Sequence, residues 1–206
     1  MTVSILIPWR TDHGHRERLW TYLRPLWEAL PVELCVASDG AEDGEPFDYA
    51  AAANKAAADA TGDVLITWGA DQLPDLAAIE AAAETARGHG WAKVFTHNAA
   101  YSPFDTERIL TGANPALIRP EAIAAQATGI LAVRRDVWDA IGGMDERFHG
   151  WGYEDAALRD RLIRDYGRTP TRTGTLMCLW HGARHRVFTG PNADLYWREY
   201  GEGAHD

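Results

Sequence analysis

Val64-Leu65-Ile66-Thr67-Trp68-Gly69-Ala70-Asp71 is the stretch on which the fold turns. Val64 to Trp68 is a short, apolar-rich run, long enough for a strand and too short for a helix. It carries no polar alternation, so it reads as a strand covered on both faces, and it leaves the sheet through Gly69-Ala70-Asp71. Upstream, an alanine-rich helix from about Phe47 to Ala60 closes at Gly62. Before it, Val32 to Ala37 reads as a second strand ending in Ser38-Asp39-Gly40. Leu19, Trp20, Leu23, Leu26, Trp27 and Leu30 recur at helical spacing until Pro31, and Val3 to Ile7 is a first strand ended by Pro8. Downstream, a helix runs through Leu76 to Ala86, and Val94 to Thr96 reads as a fourth strand. Alternating β and α elements predict an α/β fold with a mainly parallel sheet and helices on both faces. Ligands of such sheets bind beyond the carboxyl ends of the strands, where Pro8-Trp9-Arg10, Asp39-Gly40 and Asp71 all fall.

The second half is less regular. His97 to Glu121 reads as a long loop, Ile130 to Val133 as a strand, and the residues around Val137 as a short helix. Gly142 to Gly152 is rich in turn residues. A helix starting near Glu154 turns Leu158, Leu162 and Ile163 inward, and Thr175 to Trp180 is a last strand before a helix through Tyr196. With no internal repeat and no linker, the 206 residues read as a single domain.

Composition narrows the function. A net charge of −10 argues against a general nucleic-acid binder, which needs clustered Lys and Arg. Arginines do gather between Arg159 and Arg186, and Arg184 and Arg186 beside His181 and His185 are harder to assign to a solvated helix face than the first three. Nine tryptophans are unusual, and surplus Trp often lines sites for sugars or bases, although core filling accounts for most of them. Cys35 and Cys178 lie inside apolar runs without metal-ligand spacing, so they read as packing residues in a reducing compartment. The N-terminus enters a strand directly and no run approaches a membrane span, so the expectation is a soluble, cytoplasmic protein with no membrane partner.

Three segments carry chemistry. Asp71 at a strand end can hold a divalent cation, or it can cap the helix that begins near Leu73. Glycines around Trp151 let the ring approach a ligand closely, and Glu154 and Asp155 then open a helix whose dipole favours their ionised forms. An ionised carboxylate in a pocket can take a proton from an attacking hydroxyl; the plain alternative is charge decoration of a helix start. His181 after an apolar strand can be a metal ligand, with nearby arginines on a diphosphate, or a hydrogen-bonded histidine at the core rim.

Together the segments Ser4 to Arg10, Phe47 to Asn54, Gly69-Ala70-Asp71 with Pro74, Gly142-Gly143-Met144-Asp145 through Asp155, and His181 resemble the inverting GT-A glycosyltransferases. The nearest resemblance is to the β-1,4-galactosyltransferase group and its bacterial and phage relatives, with Gly150-Trp151-Gly152-Tyr153-Glu154-Asp155 the most specific part. The resemblance implies a GT-A domain whose residues 1–96 bind a nucleotide-sugar and whose residues 97–206 bind the acceptor and carry catalysis. Pro8, Trp9, Arg10, Asp39, Asn54, Asp71 and Arg184 would hold the donor, expected to be a UDP-sugar. Trp151, Gly152 and Glu154 would face the acceptor, Asp155 would be the base, and Asp71 and His181 would bind Mn²⁺ or Mg²⁺. The acceptor would present a hydroxyl on a saccharide, a protein, a small molecule or a modified nucleic-acid base. Two positions depart from the pattern: Gly69 replaces the first Asp of the Asp-x-Asp motif, and Asp48-Tyr49-Ala50 stands where an arginine is usual.

Two other classes compete. A non-catalytic nucleotide-sugar-binding module would tolerate Gly69 but has no use for Glu154-Asp155 and His181 together. A nucleotidyltransferase would show a Gly-rich, basic loop after the first strand, and Pro8-Trp9-Arg10-Thr11-Asp12 is not one.

Overall fold

A computed structural model describes residues 2–42, 44–125, 129–169, 174–182 and 189–201. The first strand, β1 (Val3–Pro8), lies inside the large sheet. β2 (Glu33–Ala37) and β3 (Val64–Thr67) flank it in parallel, with Ile5 opposite Leu34 on one side and Ile66 on the other. β4 (Trp91–Lys93) forms the far edge, and between it and β3 runs a reversed strand, β7 (Leu131–Arg134), giving the order β2-β1-β3-β7-β4. The sheet is therefore mainly parallel, as the alternation of elements implies, with one antiparallel insertion.

Strand side chains alternate between two cores. Ile5, Ile7, Val64, Ile66, Ala92 and Ala132 face α1 (His15–Glu28) and α3 (Leu76–His89), which contribute Leu19, Trp20, Leu23, Trp27, Ile79 and Ala83. Leu6, Leu65, Trp91, Leu131 and Val133 face α2 (Tyr49–Asp59), α5 (Arg135–Ile141) and α6 (Glu154–Tyr166). Helix α2 approaches through a face of alanines, Ala50, Ala53, Ala56 and Ala57, so its backbone lies close to the sheet. Both faces are covered, which is why the strands read as continuous apolar runs rather than alternating ones.

The second half departs from the sequence reading. The fourth strand is Trp91–Lys93, and Val94 and Phe95 fill the core just beyond it. Residues 97–121 are not one loop: they hold β5 (His97–Ala100), α4 (Pro103–Leu110) and a 3₁₀ turn (Pro115–Leu117). β5 sits in a small second sheet between β6 (Ala122–Ala125) and β8 (Thr175–Cys178), and α7 (Pro191–Glu199) follows. Cys35 and Cys178 are buried, and no described helix is long and apolar enough to cross a membrane.

Helix α2 ends without a glycine cap, and Arg135 takes over that role. Its guanidinium donates to the carbonyls of Ala57 (2.9 Å), Ala60 (2.7 Å) and Gly62 (3.3 Å). A cation there satisfies carbonyls the helix cannot and opposes the negative end of its dipole. Hydrogen bonds from a charged group contribute more than neutral ones, so Arg135→Ala should lower the unfolding free energy by about 2 kcal/mol in urea titration. Ligand affinity should be unchanged, because Arg135 lies at the amino edge of the parallel strands, away from their carboxyl ends.

Candidate active site

At the carboxyl edge of the large sheet is a cleft of about 500 Å³. Of the residues singled out in the sequence, Pro8, Trp9, Arg10, Asp71, Trp151, Glu154, Asp155 and His181 line it. Arg184 and His185 lie outside the described residues.

One part of the cleft is built where the chain after β3 meets the end of β8. Leu73 N–H donates to Met177 O (3.0 Å), Gln72 bridges to Cys178, and Leu179 N–H donates to Asp71 O (2.9 Å). This pairing sets Asp71 Oδ2 3.2 Å from His181 Nε2. Asp71 is not the cap of the following helix. Asp75 is, accepting from Ala78 N–H at 3.0 Å. A Cβ at Gly69 would come within 2.8 Å of Asp71 Oδ1 and of Gln72 Oε1, which already accepts from Gly69 N–H, so a side chain there would push these two aside.

A carboxylate oxygen and an imidazole nitrogen at this spacing form a mixed O/N donor pair suited to Mn²⁺, with the diphosphate of a ligand left to complete the coordination. Among the described residues no group of three or more His, Cys, Asp and Glu gathers as a metal cage. The Asp71–His181 pair thus fits two ligands of a divalent cation.

Another part is the start of α6. Gly150 (φ +70°), Gly152 (φ +115°) and Tyr153 (φ +71°) make a turn of left-handed residues that leaves Trp151 half exposed, at 50%. Consecutive residues then diverge around the helix. Asp155 lines the cleft beside Gly129, where an added Cβ would lie 3.3 Å from Asp155 Oδ2. Glu154 turns inward, only 8% exposed, and accepts from Gly152 N–H at 2.8 Å.

Position at a helix N-terminus favours an ionised Glu154, but burial wins. Desolvation, reinforced by the charge of Asp155, raises its pKa to about 7. The dipole contributes about 0.3–1 kcal/mol at an exposed position, less than the cost of burying a carboxylate. The expectation that both acids are ionised is corrected for Glu154.

Asp39 and Asn54, expected to touch the nucleotide, stand behind the cleft wall. Asp39 is 2% exposed in its side chain and receives both Arg10 Nη1, 3.2 Å from each oxygen, and Asp48 N–H at 3.0 Å. It therefore aims Arg10, whose guanidinium also lies 5.5 Å from the Phe47 ring centre. Asn54 fastens α2 to the loop before the Trp151 turn, donating to Met144 O and Glu146 Oε1 and accepting from Met144 N–H. Gly152 acts through its backbone on Glu154 and does not line the cleft.

Arg16, Pro46, Gln72, Gly129 and Ile130 also line it and were not singled out from the sequence, while Phe47, Tyr49, Gly69, Ala70 and Gly150 complete the lining from the segments quoted there. Arg16 and Tyr49 open helices that follow β1 and β2, so their place at the carboxyl edge was a readable signal. Burial and the charges of Glu154, Asp155 and Asp71 raise the Tyr49 pKa, keeping its phenol protonated.

A carboxyl group whose folded pKa exceeds its unfolded value binds its proton more tightly when folded. Its contribution to stability is full below about pH 4.5 and is lost as the pH rises through about 7. Glu154→Gln should therefore match the wild type at pH 4 and be the more stable protein at pH 8, by up to roughly 3 kcal/mol. Melting temperature against pH for both proteins checks this, and curves parallel throughout would refute it.

A family model described as the N-terminal domain of galactosyltransferase matches residues 113–176, which include the Trp151 turn, Glu154 and Asp155. No curated protein matches the chain. Glucosyl-3-phosphoglycerate synthase from Mycobacterium tuberculosis, in complex with phosphoglyceric acid, is 16% identical with a TM-score of 0.52, over 94% of this chain and 74% of that one. The catalytic domain of Drosophila β1,4-galactosyltransferase 7 with xylobiose is 19% identical with a TM-score of 0.44, over 84% of this chain. This chain spans 64% of that domain's length. A mutant of the same Drosophila enzyme, holding manganese, UDP-Gal and xylobiose, is 17% identical with a TM-score of 0.45, over 100% of this chain and 75% of that one. The architecture is the GT-A glycosyltransferase fold, carrying a galactosyltransferase-type segment in its second half.

Proposed function

We propose that this chain is an inverting, metal-dependent glycosyltransferase that moves a sugar from a UDP-sugar to an acceptor hydroxyl, with Asp155 as the base. The observation that carries the reading is one cleft lined by both the Asp71–His181 pair and the Glu154–Asp155 pair. The first pair steadies a leaving diphosphate, and the second receives a proton.

Trp9 and Arg10 form the donor wall, with Pro8 below them. Arg10, oriented by Asp39, presents a fixed cation to the nucleotide. Asp71 and His181 would hold a divalent cation, which when bound neutralises charge on the departing diphosphate. Trp151 offers a half-exposed ring on which an acceptor sugar can stack. The acceptor oxygen attacks the anomeric carbon on the face away from the diphosphate, its proton passes to the Asp155 carboxylate, and the bond from that carbon to the diphosphate oxygen breaks. A single displacement inverts the anomeric configuration. Buried Glu154, protonated over part of the neutral range, holds the turn through Gly152 and can offer a hydrogen bond to the acceptor. The burial of Cys35 and Cys178 as packing residues supports placing the protein in a reducing compartment such as the cytoplasm.

General-base contributions are about 10²- to 10⁴-fold, so Asp155→Asn should lose roughly that much turnover while keeping UDP-sugar affinity. Single-turnover transfer alongside calorimetric binding checks this, and wild-type turnover in Asp155→Asn sinks the assignment. Chelation should abolish transfer, with Mn²⁺ restoring it better than Ca²⁺. Asp71→Ala and His181→Ala should each weaken UDP binding in the presence of Mn²⁺ but not in its absence, whereas His185→Ala should have a much smaller effect. Full activity in chelator would overturn the metal requirement.

A further inference from the structure

The Trp151 turn lies on the acceptor side of the cleft, yet one of the residues that hold it comes from the donor side. Asp48 is the N-cap residue of α2, a position where an aspartate ordinarily accepts from its own helix. Its side chain makes no cap bond. The carboxylate points across to the turn instead, accepting from Gly150 N–H at 2.6 Å and pairing with His149 Nδ1 at 2.9 Å. The backbone N–H of Asp48 is held by Asp39 Oδ2, the carboxylate that orients Arg10. Pro46 adds a contact, since a Cβ on Gly150 would sit 3.4 Å from Pro46 Cβ. A continuous chain of contacts runs from Arg10 through Asp39 and Asp48 to Gly150, the residue before Trp151.

The turn needs such a fastening. Gly150, Gly152 and Tyr153 all lie at positive φ, and Tyr153 is one of only two described non-glycine residues that do so. On its far side Asn192 exchanges hydrogen bonds with the backbone of His149, at 2.9 and 3.2 Å. Asn192 belongs to the second half of the chain and cannot relate the turn to the donor wall. Asp48 can. The ion pair and hydrogen bonds also hold the Asp48 carboxyl below its usual pKa despite its partial burial, so it stays an acceptor across the neutral range.

Resting on the proposed glycosyl transfer, we propose that Asp48 is a positioning residue that gives up the cap of α2 to fix the Trp151 turn at a set distance from Arg10, so that a bound acceptor meets the sugar of the donor. It touches neither substrate.

The test uses Asp48→Ser and Asp48→Asn in the full chain. Serine caps a helix well but is too short to reach Gly150, whereas asparagine keeps a carbonyl oxygen that can accept from it. Asp48→Ser should melt no lower than the wild type. Without any ligand its amides at 149–152 should exchange with deuterium at least about tenfold faster, and Asp48→Asn should recover most of the protection. Calorimetry with UDP plus Mn²⁺ should give the same affinity for both variants and the wild type, within about twofold. Transfer from a UDP-sugar to free glucose, N-acetylglucosamine or xylose should show the acceptor KM raised roughly 10- to 100-fold in Asp48→Ser with kcat changed far less. Wild-type exchange in Asp48→Ser, or equal rescue by serine and asparagine, would overturn the proposal. Failure of the wild type to bind UDP with Mn²⁺ would sink the nucleotide-sugar reading alone, because the exchange comparison is made without ligand.

Discussion

The reversed strand β7 is the constraint on which the site depends. Strands β1, β2 and β3 deliver their carboxyl ends to one edge, but a carboxyl end can supply only the residues that come next in the chain. Because β7 runs antiparallel to β3, its entrance lies at that same edge, and Gly129 and Ile130 reach the cleft. The Thr67 hydroxyl pins the arrangement. It donates to Gly129 O at 2.9 Å and accepts from Leu131 N–H at 3.1 Å, inside a buried environment where an unpaired hydroxyl would be costly. Asp155 lies directly against Gly129, so the acid that opens α6 is referenced to the same strand end from which Asp71 emerges. Two carboxylates far apart in sequence are set on either side of one space by a single polar residue at the end of a buried strand.

Within α6, adjacent acids are given different characters by direction alone. Residues one apart on a helix point about 100° away from each other, so Glu154 is the more deeply buried of the two although both line the cleft. The helix dipole acts on both alike and cannot separate them. Burial can, and it raises Glu154 to about 7, further favoured because a second nearby negative charge would repel the first. On the proposed function Asp155 is the proton acceptor, and its neighbour Glu154 is a group that can carry a proton near neutrality.

The first half of the fold was legible because each element buries a stripe: strands with both faces covered read as apolar runs, and α1 shows its inward Leu19, Trp20, Leu23 and Trp27 at helical spacing. The second half was not, for three physical reasons. β5 (His97–Ala100) and β6 (Ala122–Ala125) are short and rich in alanine, so their strand character comes from pairing, β6 with β5 and β5 with β8, and from no pattern of their own. β4 reads three residues late because Val94 and Phe95 are core residues of a chain leaving the sheet, and burial in a loop imitates burial in a strand. Helix α4 did carry a signature, Ser102-Pro103 with Asp105, and Ser102 accepts from Asp105 N–H as a cap should; its turn-forming neighbours hid it. At the site, residues that stand in the cleft because they end a strand or open a helix were readable. Asp39 and Asn54 were misplaced because sequence tells where a polar side chain starts, not which neighbour claims it first. Arg10 and the Met144 loop did so.

The two departures from the galactosyltransferase pattern act in one direction. At position 69 a side chain would displace Asp71 and Gln72, and Gln72 has taken the space and the Gly69 N–H. At position 49 a neutral phenol stands near Glu154, Asp155 and Asp71, where an arginine would have placed a cation among three acids. The first change removes an anion and the second a cation, so the net charge of the donor wall is nearly conserved while its reach is shortened. On the proposed function, Arg10 and Arg16 are the arginines that line the cleft among the described residues, and Asp71 and His181 would hold a divalent cation beside them. Arg16 lies on the metal side as well, since its neighbour His15 packs edge-on against Trp180, 4.8 Å between ring centres, immediately before His181. On the proposed function, neutralisation of the leaving group has moved away from the transferred sugar, which frees the space around Tyr49 for sugar hydroxyls. A wall with a neutral donor and acceptor at that point distinguishes sugars by the placement of their hydroxyls rather than by charge.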